Sequence, residues 1–249
     1  GTEFAPGTGA GADKITALLL PESAKSIKAG TYSNPTFKGF TALAYIDGES
    51  VETIGAYAFY DCTSLTLILL SGAQTIGEEA FSGCTGLTEV GLPAATTIGA
   101  FAFSGCTSLT AVSLSAASIG AQAFSGCTGL TEMSLPDAQT IGDGAFEFCS
   151  SLTEVNLPAA TTIGEQAFGV CTSLTTVRLP ATPPVIESES AIFSATNDDE
   201  SGGIITVLVP ATAAISAYTS AWGVSANTAV NGNTDVYGSK HKAVTIAAQ

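Results

Sequence analysis

The sequence predicts an α/β solenoid: a right-handed superhelix of stacked repeats of about 22 residues, each giving one short parallel strand, with a cap at either end. Three observations predict it. Four residue columns keep one register over six copies. The second half of each copy alternates like a half-buried strand. The pattern decays at both ends, as a stack that must shield its terminal faces requires.

The columns are Cys62, Cys84, Cys106, Cys127, Cys149 and Cys171; Ile54, Ile76, Ile98, Ile119, Ile141 and Ile163; Phe59, Phe81, Phe103, Phe124, Phe146 and Phe168; and Leu65, Leu87, Leu109, Leu130, Leu152 and Leu174. The step is 22 residues except for one of 21 between Cys106 and Cys127. The missing residue falls before Ile119, where Ser115-Ala116-Ala117-Ser118 stands for Pro93-Ala94-Ala95-Thr96-Thr97. Each copy reads approximately I-G-x-x-A-F-x-x-C-T-S-L-T-x-V-x-L-P, a leucine-rich repeat. Its L-x-x-V-x-L half, as in Leu152 to Leu157, has the period of two expected of a strand with one buried face. A proline such as Pro158 ends it. The Ile-to-Cys half, as in Ile163 to Cys171, reads as a turn plus a short helical or 3₁₀ piece on the opposite side. One copy cannot bury its own apolar side chains, but stacked copies bury continuous ladders. The strands are then expected to form one parallel sheet at a spacing of about 4.8 Å.

The ends are built differently. Residues 1–13, with Gly7, Gly9 and Gly11 among small residues, read as a flexible leader. Residues 14–50 read as the N-terminal cap. Ile15 to Pro21 gives a strand, and Ser23 to Thr36 is irregular. Phe37 to Ile46 is a degenerate copy in which Phe40 takes the cysteine column and Leu43 the leucine column. The clean repeats fill 51–180. Residues 181–249 form a degenerate repeat and cap: Thr182-Pro183-Pro184 breaks the rhythm and Asn197 to Gly203 is a polar loop. Ile204 to Val209 is a last strand before Pro210. Ala211 to Trp222 has the apolar spacing of a helix, with Gly223 as its C-cap. A turn follows at Asn231-Gly232-Asn233, then a strand at Ala243 to Ala247.

These motifs resemble the BspA-like leucine-rich-repeat family of bacterial surface proteins. The resemblance rests on I-G-x-x-A-F-x-x-C followed by C-T-S-L-T over residues 51 to 180. It continues through Ala181-Thr182-Pro183-Pro184, Phe193, Val207 to Pro210 and the segment Ala217 to Trp222. It implies an exported, surface-exposed protein, secreted or lipid-anchored, that binds or adheres. It carries over no catalytic residue. The stretch Ser23 to Thr36 and the tail after Val224 depart from the family pattern.

Composition narrows the partners. Hydrophobic residues make up 45% and charged residues only 12%, so a large core is covered by small polar side chains. There are 22 acidic against 7 basic residues, a net charge of −15. Such a chain is repelled by phosphate backbones, which argues against nucleic acid and anionic membranes. No apolar run reaches the roughly 18 residues of a membrane span. No charged stretch leads into an apolar one as in a signal peptide. The chain begins with Gly1, and a signal or lipid anchor is expected to have been removed before it.

The residues that could carry chemistry read as structural. Cysteines about 22 residues apart, with His241 as the only histidine, do not form a metal-ligand cluster. Neighbouring thiols in a stack point parallel, which leaves the Cβ atoms badly placed for a disulfide. They read as reduced core thiols, and Phe40 in the same column agrees. His241, between Lys240 and Lys242, lacks the partners of a nucleophilic triad. Glu132 and Glu154 occupy matching positions in adjacent copies and could pair as in a glycosidase, but the repeat alone accounts for that spacing. No catalytic residue, cofactor or metal is expected.

The outward strand positions are the candidates for binding. They flank the buried Val or Met of each copy: Leu67/Leu69, Glu89/Gly91, Ala111/Ser113, Glu132/Ser134, Glu154/Asn156 and Thr176/Arg178. From them Glu89, Ser113, Glu132, Ser134, Glu154, Asn156 and Arg178 form the expected partner-binding face, with Leu67 and Leu69 packed against the N-terminal cap. The column Thr66, Thr88, Thr110, Thr131, Thr153 and Thr175 is expected to bond to backbone or water. The reading is a non-catalytic binding or adhesion module for a protein or glycan, monomeric behind its caps. The alternatives are a structural spacer without a ligand and a carbohydrate-active enzyme using Glu132 and Glu154.

Overall fold

The structure, a computed structural model, describes residues 2–6, 11–186, 193, 205–210, 217 and 244–248. Stacked turns wind a parallel β-solenoid of about 22 residues per turn, and among the described residues there is almost no helix. Each full turn carries two strand positions rather than one.

The first wall is the expected one. Val and Leu of L-x-x-V-x-L point inward and their neighbours outward. The strands Ala17–Leu19, Tyr45–Asp47, Leu67–Leu69, Glu89–Leu92 and Ala111–Leu114 form a five-stranded parallel sheet. Glu132–Ser134, Glu154–Asn156, Thr176–Arg178, Ile205–Val209 and Val244–Ala248 form a second. The wall is therefore split. No backbone pairing joins Ala111–Leu114 to Glu132–Ser134. The split lies at the 21-residue repeat. In the full-length repeats an N–H three residues on closes the corner, as Ala95 does to the Leu92 carbonyl at 3.1 Å and Ala160 to Leu157 at 3.3 Å. The short corner after Leu114 lacks that bond among the described residues. Val112 is left half-buried there, while Val90, Met133 and Val155 are buried.

The second wall was not expected. The dipeptide before each Ile-Gly glycine forms a two-residue strand, buried at Ile and exposed at its first residue except at the half-buried Ser118 and Thr162: Thr53–Ile54, Thr75–Ile76, Thr97–Ile98, Ser118–Ile119, Thr140–Ile141 and Thr162–Ile163. With Thr2–Phe4, Ala24–Ile27 and Val185–Ile186 they make one unbroken nine-stranded parallel sheet. This sheet runs straight past the short repeat.

The third side corrects the expected helical piece. Local turn bonds, such as Cys62 N–H to the Phe59 carbonyl at 3.1 Å, alternate with bonds between turns. Tyr57, Phe59 and Asp61 donate to the carbonyls of Glu78, Ala80 and Ser82, and Glu79, Phe81 and Gly83 donate to Ala100, Ala102 and Ser104. Left-handed residues recur in two columns. Tyr57, Glu79, Phe101, Gln122 and Gln166 form one; Asp61, Phe148 and Val170 stand with Gly83, Gly105 and Gly126 in the other. A left-handed residue every fourth position breaks the i→i+4 ladder, so a helix cannot propagate.

Between the walls the side chains stack by column. The rings of Phe37, Phe59, Phe81, Phe103, Phe124, Phe146, Phe168 and Phe193 lie face to face, with neighbouring centroids 4.4 to 5.8 Å apart. All six cysteines are free and buried. Five thiols donate to a Phe carbonyl of the preceding turn, from Cys84 to Phe59 at 3.2 Å through Cys171 to Phe146 at 3.0 Å. Burial pushes the Cys62 and Cys106 thiols up to about 12. Phe40 and Leu43 fill the columns assigned to them.

The ends are more regular than the sequence suggests. The opening residues, read as a leader, contribute the strand Thr2–Phe4 and a 3₁₀ turn at Ala12–Lys14. The stretch Ser23 to Thr36, read as irregular, contains the strand Ala24–Ile27 with Ala24 and Ile27 buried. At the other end Ile205–Val209 and Val244–Ala248 pair in parallel, close to the strands expected there. The polar loop at 197–203, the turn at 231–233 and His241 lie outside the described residues, as does the helix expected over 211–222 apart from Ala217.

Candidate binding face

The split wall presents two outward surfaces. On the N-terminal sheet the register places Ala17, Tyr45, Leu67, Glu89 and Ala111 in one row and Leu19, Asp47, Leu69, Gly91 and Ser113 in the next. On the C-terminal sheet the rows are Glu132, Glu154, Thr176 and Thr206, and Ser134, Asn156, Arg178 and Leu208. The sequence-predicted residues thus divide: Glu89 and Ser113 on one sheet, and Glu132, Ser134, Glu154, Asn156 and Arg178 on the other.

The two surfaces differ chemically. On the C-terminal sheet the polar groups largely serve one another. Arg178 Nε lies 2.6 Å from Glu154 Oε1, and Asn156 Nδ2 donates to Ser134 Oγ at 3.3 Å. The pair is partly exposed, so it contributes about 0–1 kcal/mol. Glu132 and Glu154 are register neighbours, as the repeat requires, and the Glu154 carboxylate is held by Arg178 rather than facing Glu132 across a cleft.

On the N-terminal sheet the centre is apolar. Leu19 is 70% exposed and Leu69 45%, with Leu67 and Tyr45 half-buried beside them. The expected packing of Leu67 and Leu69 under the cap is therefore incomplete. The cap strands lie beside them in the same sheet and leave their outer faces open. Asp47 accepts the Tyr45 hydroxyl at 3.0 Å. Glu89 is exposed, with no ion pair among the described residues.

Gly91 stands among the outward positions read from the sequence but not in the expected partner-binding face. It lies in a strand, where glycine costs roughly 0.5–1 kcal/mol. The backbone does not demand it: a Cβ there would meet no atom within 4 Å. At Gly77 and Gly99, by contrast, a Cβ would lie 2.5 and 2.7 Å from the backbone nitrogens of Ala56 and Glu78. The available signal was a glycine inside a period-two strand, which often marks a close approach of another chain or ligand.

Elsewhere the surface is bonded internally. Thr66, Thr88, Thr110, Thr153 and Thr175 donate their hydroxyls to the carbonyl one turn back, at 2.9 to 3.3 Å. This is the backbone-bonded column expected. A cleft of about 480 Å³ opens at the N-terminal end between Pro6, Gly30, Pro35 and Phe40. No cluster of metal-ligating side chains occurs among the described residues, and none of their helices is long and apolar enough to cross a membrane.

The family profile described as the BspA type leucine rich repeat region matches residues 10–116 and 96–200, with six copies. The chain belongs to the BspA-type leucine-rich-repeat family. These are repeat scaffolds typical of protein–protein interaction and generally non-catalytic. The BspA-type fold is similar to a T. pallidum leucine-rich repeat protein, at 29% identity and TM-score 0.50, over 70% of this chain and 72% of that one. It is similar to a leucine-rich repeat protein from Eubacterium ventriosum, at 25% identity and TM-score 0.51, over 70% of this chain and 57% of the other. A leucine rich cell surface protein from Faecalibacterium prausnitzii shares the fold at 23% identity and TM-score 0.51, over 67% of this chain. This chain spans only about half of that protein's length, 55%. Curated proteins give no match to the BspA-type sequence.

Proposed function

We propose that the chain is a non-catalytic binding module displayed outside the cell, which engages a protein or glycan through the outward face of its split wall. One observation supports this above others: within a single chain the inward columns repeat Leu, Val, Ile, Phe and Cys almost without change, while the outward columns change chemistry from turn to turn. The core needs its residues to be the same at every turn. Nothing in the stacking asks for Leu67 and Leu69 on one turn, Glu89 and Gly91 on the next and Glu154 and Asn156 further on. Solenoids present extended surfaces of this kind to partners. Family membership supports display at a surface. Glu89, Ser113, Glu132, Ser134, Glu154, Asn156 and Arg178 remain the proposed polar contacts, and Leu67 and Leu69 join them.

The test is a screen of the purified chain against immobilised extracellular-matrix proteins and a glycan array. A second sample carries serine at Leu67, Leu69, Glu89, Glu132 and Glu154. A ligand bound by the chain and lost in the variant, with circular dichroism unchanged, supports the module. Binding that survives the variant removes the wall from the proposal. A chain that binds nothing favours a spacer. The unbroken nine-stranded sheet would suit that role, holding its ends roughly 40 Å apart at about 4.8 Å per strand.

A further inference from the structure

Resting on the binding-module reading, we infer that its working half is the N-terminal sheet, and that the partner there is a polypeptide placing an apolar side chain over Leu67 and Leu69 with a cation beside Glu89. Three independent features converge on this patch. The first is apolar area left open among the described residues: Leu19 and Leu69 are 70% and 45% exposed on either side of Asp47, with Tyr45 and Leu67 half-buried in the neighbouring row. The second is room. Gly91 lies in register between Leu69 and Ser113, and its missing side chain leaves a notch that the fold itself does not require. On the other sheet the equivalent positions carry Ser134, Asn156 and Arg178.

The third feature is charge. The outward rows of this sheet hold Asp47 and Glu89 and no Lys or Arg. The Glu89 carboxylate is exposed, unlike Glu154, which already has Arg178. A partner cation there gains an unneutralised carboxylate without displacing another. An anionic or purely apolar partner would gain nothing from Glu89 or from a chain of net charge −15. A neutral sugar would leave Leu19 and Leu69 facing water in its hydroxyl shell. A polypeptide that alternates an aliphatic or aromatic residue with Lys or Arg satisfies all three features. Its anchor enters the notch over Gly91, against Leu67 and Leu69, and its cation meets Glu89. Such centres, apolar and rimmed by charge, carry most of the energy in protein interfaces.

The experiment selects a random-peptide phage library on the immobilised full chain. It then measures the enriched peptides by fluorescence anisotropy at low and high salt. The expected peptides carry an apolar residue flanked by Lys or Arg. Gly91→Phe fills the notch at a half-buried strand position where a Cβ meets no other atom within 4 Å, and should weaken binding by about tenfold or more. Glu89→Lys should weaken it about tenfold and abolish its salt dependence. Asp137→Lys, at an exposed corner outside the outward rows, should leave it unchanged, and a Glu132→Lys/Glu154→Lys variant probes the other sheet. Circular dichroism and the denaturation midpoint of each variant show that the fold is retained. Peptides indifferent to Gly91→Phe and Glu89→Lys but lost in the Glu132/Glu154 variant would overturn this inference and leave the binding module standing. A library that yields no binder would overturn this inference alone, and the matrix-protein and glycan screen then decides the binding module.

Discussion

The split in the wall can be closed by one residue. Replacing Ser115-Ala116-Ala117-Ser118 with the corner Pro-Ala-Ala-Thr-Thr, as at positions 93–97, restores the 22-residue step. At an intact junction of the C-terminal sheet, Thr153 N–H and its hydroxyl both reach the Thr131 carbonyl, at 2.8 and 2.9 Å, and Leu135 N–H reaches Asn156 at 3.0 Å. The junction between Ala111–Leu114 and Glu132–Ser134 has no equivalent bonds among the described residues. By the same register the amides of Val112 and Leu114 would donate forward and those of Glu132 and Ser134 back. About four N–H···O bonds at about 0.5–1.5 kcal/mol each, offset by about 1–2 kcal/mol for ordering the added residue, leave roughly 0–5 kcal/mol, about 2–3 kcal/mol at mid-range. Burial of Val112 adds to this. The assay is native-state hydrogen exchange, which should slow about tenfold or more at those four amides, since each 1.4 kcal/mol is a factor of ten. The midpoint in guanidinium should rise with it. If exchange at these four amides is unchanged, or the midpoint falls, the short corner is not what holds the sheets apart.

Three further outcomes are expected. The six thiols should resist alkylation in the native protein and react together on unfolding: a thiol raised to about 12, as at Cys62 and Cys106, is thiolate in roughly one molecule in 10⁵ at neutral pH. Mass-spectrometric counting of labelled cysteines checks this, and fast labelling of any buried thiol would contradict it. Val170 holds φ +56° where Gly83, Gly105 and Gly126 stand in other turns, so Val170→Gly should stabilise by up to about 1 kcal/mol and Gly105→Val should destabilise by about 1–2 kcal/mol; chemical denaturation reads both. Finally, burial raises Tyr60 to about 12, and a hydrogen bond to Glu79 raises Tyr57. The folded phenols keep their protons while those of the unfolded chain ionise, so stability should fall as pH rises from about 10 through 12. Phenolate absorbance should show late-titrating tyrosines in the folded protein and none after unfolding.

The inward columns were legible because each position makes the same demand six times over. Ile, Phe, Cys and Leu in register admit few arrangements other than a stack. The second wall was not legible because Thr-Ile is too short to show a period of two. The third side was misread for a definite reason. Alanine and phenylalanine followed by cysteine three residues on imitate the apolar face of a helical turn, and nothing about Tyr57, Phe101 or Gln122 announces a left-handed backbone. Where that geometry falls on glycine, at Gly83 or Gly105, the signal was present but was outweighed by its non-glycine neighbours. On the outer face the sequence supplied the candidate residues but not their pairing. Arg178 reaching Glu154, and Leu69 left open beside Asp47, depend on side-chain placement that a column alignment does not contain. The deletion at 115–118 was visible, but not which corner bond it removes.

The turn ladder on the third side also has a direction. Tyr57, Phe59 and Asp61 all point their N–H groups toward the next turn, and Glu79, Phe81 and Gly83 do the same. Peptide dipoles aligned this way add along the axis as they do in a helix, whereas those of strands largely cancel. The solenoid is thereby an electrical rod, with its positive pole toward the C-terminal end and its negative pole toward the N-terminal end. Its charges are distributed accordingly. The first 50 positions hold four of the seven basic residues, Lys14, Lys25, Lys28 and Lys38, against five acidic ones, a net of −1, while the rest of the chain holds 17 acidic against three basic residues, a net of −14. Two such rods meeting end to end attract in one orientation and repel in the other, so copies brought together along this axis have a preferred polarity.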